Sequence, residues 1–324
     1  MDIIFYIEYY TATGEQLALH IAEPHSPGCP QHILMTTGDN AHWQGVWHVP
    51  AQVPATIDYY FSVEGAHGTL RREWTTVCHR LDLPTRPQPA VRVYGRWIDV
   101  PYDTYRYSSA FTDCLHPHAL QPLHSPGDRC ARLVCRAPQL RSGQRLVLTG
   151  ADRALGEWHP EQGLPMAEHN YCEWVAEVPI DLLAQPTIEF KFAIVHDGTD
   201  PSPIWEDGLN RTLTLADEPG LQVYELDQSF YPLCDERVAG TLIPVFSLRS
   251  EGSFGVGDFG DLMAMTDLIA STGQRVLQVL PINDTTVTHT WTDSYPYSCI
   301  SVFALHPQYA DLRQLPPLND AGQR

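Results

Sequence analysis

LVLTGADRALGEWHP (residues 146–160), CEWVAEVPI (172–180), TIEFKFAIV (187–195) and IWEDGLNRTLTL (204–215) decide how this chain is read. Three of the four alternate apolar and polar residues over short runs, which is the period of half-buried strands. The tryptophans fall where runs end: Trp158 comes just after a Gly, and Trp205 precedes Glu-Asp-Gly. An aromatic ring in a turn is poorly placed to fill a core and well placed to offer a flat face to water. Lys191 interrupts the apolar face of Phe-Lys-Phe, and Asn210 with Arg211 opens the next strand. Two exposed indoles beside Lys191, Glu206 and Asn210 suit a neutral, flat, hydroxyl-rich ligand, which means a sugar.

The ordered set Leu-Gly-x-Trp, Glu-Phe-Lys-Phe and Trp-Glu-x-x-x-Asn-Arg resembles the starch-binding modules attached to amylases, glucoamylases and glucanotransferases. The resemblance covers most of residues 128–226. It implies that Trp158 and Trp205 stack on glucose rings, that Lys191, Glu206 and Asn210 hydrogen-bond sugar hydroxyls, and that Trp174 belongs to a second sugar site. The competing reading makes these tryptophans core aromatics of a β-sandwich, and it bears hardest on Trp174, which sits on a strand. Covering one sugar face on an indole is worth about 1–2 kcal/mol at ~25 cal/mol per Å², and each hydrogen bond about 1 kcal/mol net. Association costs at least ~4 kcal/mol. One such site therefore binds weakly, and useful affinity needs more than one.

The 324 residues leave room for two or three domains. A formal charge of −19 disfavours nucleic acid or an anionic membrane as partner, whereas a neutral polysaccharide is indifferent to it. The start, MDIIFYIEYYTATGEQ, has no basic region, and Asp2 and Glu8 flank its apolar run, so neither a secretory signal nor a membrane span is expected. The eight Cys are scattered without a Cys-x-x-Cys pair. They read as free, mostly buried thiols of a cytoplasmic protein. The fifteen His are dispersed, and no metal site is expected from their spacing.

Residues 1–83 read as strands again: IIFYIEYY, QLALHIAE, HILMTT, TIDYYFSVEG and a segment around REWTTVCHRLDL. They form an internal repeat of the central stretch. Aligned on its tryptophans, Trp74 matches Trp205, Trp47 matches Trp174, Tyr60 stands for Lys191 and His79 for Asn210. With no Leu-Gly-x-Trp turn, the first repeat is expected to carry a weakened sugar site, at Trp47 and Trp74, or none. Residues 83–128 hold seven of the prolines and read as an extended connection without sustained regular structure.

After Asp227 the pattern changes. TLIPVFSL and RVLQVLPIND are continuous apolar runs, like strands covered on both faces. Between them DFGDLMAMTDLIASTG places Leu262, Met265, Leu268 and Ile269 on one helical face, with Asp258 as N-cap and Gly273 as C-cap. Strand, helix, strand at this spacing is one βαβ unit. Gly255-Val-Gly257-Asp-Phe-Gly260 is a literal Gly-x-Gly-x-x-Gly. Six residues separate it from the strand, and Asp258 would aim a negative charge at bound phosphates, so a nucleotide-binding α/β domain is only a remote alternative.

IPVFSLRSEGSFGVGDFGDL, RVLQVLPIND and WTDSYPYSCISVFALHPQYADL resemble the 4-α-glucanotransferases of glycoside hydrolase family 77. The resemblance implies retaining transfer of α-1,4-glucan segments to a sugar acceptor by paired carboxylates ~5–5.5 Å apart, without a cofactor. It places Tyr297 in the sugar cleft. No residue here matches the family's catalytic carboxylates, so the chain is expected to be the N-terminal part of a longer enzyme and inactive alone. The expected fold is two immunoglobulin-like β-sandwiches followed by the first βα units of an incomplete (β/α)8 TIM barrel. The expected domains are 1–112, a linker at 113–127, 128–226 and 238–324. The expected partners are starch, maltooligosaccharides and other α-glucans. The alternative is a stand-alone glucan-binding module without catalysis.

Overall fold

The structure, a computed structural model, describes residues 1–22, 30–50, 52–84, 88–115, 119–123, 129–141, 143–196, 202–233 and 237–316. The chain divides into two units, Met1–Leu233 and Cys234–Arg324.

The first half of the first unit contributes strands β1 (Asp2–Glu8), β2 (Gln16–Ala22), β3 (Gln31–Leu34), β4 (Thr36–Thr37), β5 (His42–His48), β6 (Thr56–Gly65), β7 (Gly68–Arg72), β8 (His79–Asp82) and β9 (Val91–Gly95). The second half contributes β10 (Arg129–Arg136), β11 (Gln144–Gly150), β12 (Leu164–Pro165), β13 (Ala167–Asn170), β14 (Glu173–Pro179), β15 (Thr187–His196), β16 (Ile204–Trp205), β17 (Arg211–Thr214) and β18 (Gly220–Glu225).

The two repeats share one sheet. Its eight strands run β13-β14-β10-β18-β9-β1-β5-β4. The seam is a parallel pairing of β18 with β9, from Leu221 opposite Val91 to Tyr224 opposite Tyr94. Tyr94 stacks on Tyr224 across it, with ring centroids 4.5 Å apart. At the seam's entry Gly220 has φ +100°, and a Cβ there would lie 2.1 Å from the Ala90 carbonyl oxygen, so the two halves approach only because this residue is glycine.

Each half then covers a different face of the shared sheet. Sheet β3-β2-β6-β7, with β8, packs its inward side chains on Ile3, Phe5, Ile7, Val91 and Val93. Sheet β12-β11-β15-β16, with β17, packs Leu146, Leu148, Phe190 and Phe192 on Leu133, Trp174 and Tyr224. Strand β10 is caught between them. Cys130 and Val134 join the first core, whereas Ala131, Leu133 and Cys135 join the second. That is why RCARLVCR shows no alternation.

Residues 83–128 were expected as an extended connection without sustained regular structure, and the structure differs there. Within 83–128 lies β9, a central strand of the common sheet, followed by a 3-10 turn at Thr104–Tyr107 and a π turn at Ala110–Leu115. Its prolines flank the five-residue strand and leave its ladder intact. Of the expected linker, 116–118 and 124–128 lie outside the described residues.

In the second unit, β19 (Gly240–Leu242) pairs in parallel with β20 (Val276–Gln278), and helix α1 (Phe259–Ser271) connects them. This is the expected βαβ order. Asp258 caps α1 in a reciprocal box: Asp261 N–H donates to the Asp258 carboxylate at 3.0 Å, and Asp258 N–H to Asp261 at 3.1 Å. Thr272 is the C-cap and Gly273 follows at φ +77°. Both strands are shorter than expected and exposed on alternate residues; the small core of this unit, Val245, Leu248 and Tyr309, lies outside them. Leu268, expected on the buried helix face, is exposed, while Ile269 is buried. No helix among the described residues is long and apolar enough to cross a membrane.

Candidate functional site

Strand β15 organises the candidate site. Phe190, Phe192 and Ile194 point into the second core, so period 2 sends Lys191 and Ala193 to the outer face. Trp205 pairs with Ala193. Trp158 N–H donates to the Gly150 carbonyl at 2.9 Å, and Gly150 pairs with Phe190. The backbones of the two tryptophans thus bracket Lys191, about 10 Å apart along a strand rising ~3.3 Å per residue. Both tryptophans are half-buried.

Trp158 is held there at a cost. Glu157 and Trp158 have φ of 48° and 66° in succession, a left-handed conformation that disfavours bulky side chains by about 1–3 kcal/mol each. Gly156 precedes them at φ +82°, where a Cβ would meet the Gln162 backbone at 2.6 Å. Asp152 locks the turn from below. One carboxylate oxygen accepts from Ala154 N–H and the other from Ala184 N–H, both at 2.8 Å. Such strain persists only where the surroundings over-determine it, and here it projects an indole.

Lys191 Nζ donates to the carbonyls of Glu206 (3.0 Å) and Gly208 (2.7 Å). It braces the 206–210 loop while keeping a third donor. Asn210 is exposed and donates its amide nitrogen to Glu189 at 2.8 Å, which orients it.

Three expected site residues do not stand where a sugar could reach them. Glu206 is 4% exposed. Its carboxylate accepts from Phe192 N–H at 2.9 Å and from Arg211 at 2.9–3.2 Å, two-pronged, so its acceptors are already occupied inside the protein. Trp174 is 4% exposed in the second core and Trp47 is 2% exposed in the first. Neither presents a ring face, because the strand positions they occupy point inward. Trp174 lies opposite Cys135 at the strand end. The inward tryptophan placed likewise in the first repeat is Trp43, opposite Ile7.

The register also shifts the repeat by one residue. Glu73 accepts from Phe61 N–H as Glu206 does from Phe192, so Glu73 corresponds to Glu206. His79 lies opposite Tyr59 as Arg211 lies opposite Phe190. His79 therefore takes the place of Arg211, not of Asn210, and Trp74 falls beside the site rather than in it. Trp74 is half-buried against Tyr107, ring centroids 5.0 Å apart. Tyr60 does take the place of Lys191.

In the second unit Tyr297 is 58% exposed and its ring lies 5.4 Å from that of Tyr295. Nearby, a pocket of about 280 Å³ is lined by Phe246, Pro281, Asn283, Asp293, Pro296 and His306 among others. The glycine motif has a packing explanation. A Cβ on Gly257 would sit 2.0 Å from the Val245 carbonyl oxygen, and the N-terminus of α1, where a phosphate would lie, already holds the Asp258 carboxylate.

Sequence reading missed Glu189 and Asp152, which hold the site's two loops. Asp152 carried a signal, since an Asp two residues before a tight turn is a local acceptor for backbone N–H. Among the described cysteines, Cys130, Cys135 and Cys172 are buried, Cys78 half-buried and Cys299 exposed, and none of these five is in a disulfide.

Two family models match the chain: the starch binding domain over residues 132–222 and 4-alpha-glucanotransferase over residues 243–324. The chain is 29% identical over 341 aligned positions to 4-alpha-glucanotransferase DPE2 of Oryza sativa subsp. japonica, covering 97% of this chain and 35% of that protein. It is 43% identical over 77 positions to a 4-alpha-glucanotransferase of Chlamydia trachomatis serovar D, covering 24% of this chain and 14% of the relative. It thus spans about a third or less of the length of these relatives. Among solved structures, the family 20 carbohydrate-binding module of a maltotetraose-forming amylase from Pseudomonas saccharophila matches at 17% identity, TM-score 0.24, over 29% of this chain and 98% of that one.

Proposed function

We propose that this chain is the α-glucan-binding region of a 4-alpha-glucanotransferase, and that its second repeat holds starch or maltooligosaccharides through Trp158, Trp205, Lys191 and Asn210. The observation that carries this is the placement of two tryptophans along β15 on either side of Lys191: Trp205 pairs with Ala193, and the strained turn at Glu157–Trp158 holds the Trp158 backbone at Gly150, opposite Phe190. The resemblance between residues 132–222 and the starch binding domain supports it. Each half of the first unit is read as an immunoglobulin-like sandwich, the two fused through the common sheet. The second unit is read as the opening βα element of a (β/α)8 barrel, with Tyr297 beside its sugar cleft. In a complete enzyme the reaction is retaining transfer of a glucan segment to an acceptor sugar. The role of these residues is to bind and orient the polymer by stacking and hydroxyl contacts. The free thiols support a reducing, cytoplasmic location.

Retention on insoluble starch, with release by free maltoheptaose and no retention on cellulose, tests the binding. A chain that passes through starch unretarded contradicts it. The nucleotide alternative is opposed by the self-capped helix, and ATP, NAD and NADP should show no saturable binding below about 100 µM.

A further inference from the structure

We infer that the first repeat carries a transition-metal site built by His20, His32 and Glu64 and suited to Zn(II). The three come from adjacent strands β2, β3 and β6 on the outer face of their sheet, and one ligand atom from each lies within 4.8 Å of the others. His20 and His32 are a direct cross-strand pair, ring centroids 5.0 Å apart. Tyr60 stacks on His20 at 4.5 Å and 5°, which fixes the ring.

Ser62 marks the place of the ion. Its hydroxyl lies 2.7 Å from His20 Nε2 and 2.6 Å from a Glu64 carboxylate oxygen, and those two atoms are 3.9 Å apart. A hydroxyl that donates to Glu64 accepts from His20 Nε2–H. A metal entering there displaces the hydroxyl and takes the Nε2 lone pair, while the imidazole proton moves to Nδ1 through solvent. Metal–ligand distances of about 2.0–2.2 Å then require a small closure, which falls on His32, the exposed member.

Two imidazoles and one carboxylate are a zinc donor set with a fourth position open to water or an exchangeable ligand. In the second repeat Thr149, opposite Lys191, takes the place of His20 opposite Tyr60. The same sheet face has diverged, from hydroxyl binding in one half to metal binding in the other.

The test is calorimetric titration of the metal-free full chain with Zn(II), repeated with Co(II) by absorption spectroscopy. One equivalent should bind with a dissociation constant below about 10 µM. His20→Ala, His32→Ala and Glu64→Gln should each weaken it at least about tenfold, and Ser62→Ala should not. His32 is exposed, so its variant tests the site even if His20→Ala fails to fold. Weaker wild-type binding, or tight binding that survives His20→Ala and His32→Ala together, overturns the assignment.

Discussion

The two repeats hold the same buried carboxylate against different cations, and the difference separates what the fold needs from what a ligand needs. In the second repeat Glu206 meets Arg211, a cation that does not titrate in the working range. In the first, Glu73 meets His79, which also contacts Glu225 from the last strand of the second repeat at 2.6 Å. One pair closes its own module. The other ties the two modules together and makes the tie sensitive to pH. In both, the carboxylate is part of the frame, and the surface outside it is free to diverge.

The largest expected effect comes from breaking the frame. Glu206→Gln leaves the half-buried Arg211 guanidinium without its buried counter-charge and should cost about 3–5 kcal/mol of unfolding free energy. Chemical denaturation measures it, and a loss under 1 kcal/mol would mean that the pair is not part of the frame. Similar losses, about 3–5 kcal/mol, are expected from Trp174→Ala and Trp43→Ala, because both rings are core. Near-wild-type melts for either would return the ring to the list of sugar contacts.

The pH response should distinguish the repeats next. Burial pushes His79 down, but the Glu225 and Glu73 carboxylates outweigh it and raise the imidazole to about 9 from the ordinary 6.5. A raised folded-state value contributes stability that is complete below pH 6.5 and disappears as pH climbs through 9. That contribution is of the order of 1–3 kcal/mol. Glu225, held low by His79 and Tyr59 despite its burial, contributes in the opposite direction, lost only as acid is added. Melting temperatures should therefore fall between pH 7 and 9.5 in the wild type and stay flatter in His79→Gln. Parallel profiles would dissolve the contrast between His79 and Arg211.

Much of this was legible in sequence because local rules carried it. The alternation in TIDYYFSVEG and TIEFKFAIVH gave two matching strands, the Asp258 cap fixed the helix start, and Trp158 announced itself as an aromatic in a turn. What escaped depended on neighbours far away in the chain. VRVYG is too short for its period to stand out between prolines, yet it is a central strand. Aligning the repeats on tryptophan hid a one-residue difference between Glu73–His79 and Glu206–Arg211, which appears only when the backbone donors to each glutamate are matched. A glutamate beside a tryptophan looks the same on paper whether it faces water or an arginine inside the protein. His20, His32 and Glu64 looked dispersed because cross-strand neighbours are distant in sequence.

The smallest effect in free energy bears most directly on function. Removing one stacking face should cost about 1–2 kcal/mol, a five- to thirty-fold loss of affinity. Titration of the wild type, Trp158→Ala and Trp205→Ala with β-cyclodextrin, with a thermal melt on each, measures it. Weakened binding with melting temperatures close to wild type is the result expected of half-exposed rings that hold a glucan. Unchanged binding with a collapsed melt for either variant would show that the ring is core and that the glucan site lies elsewhere.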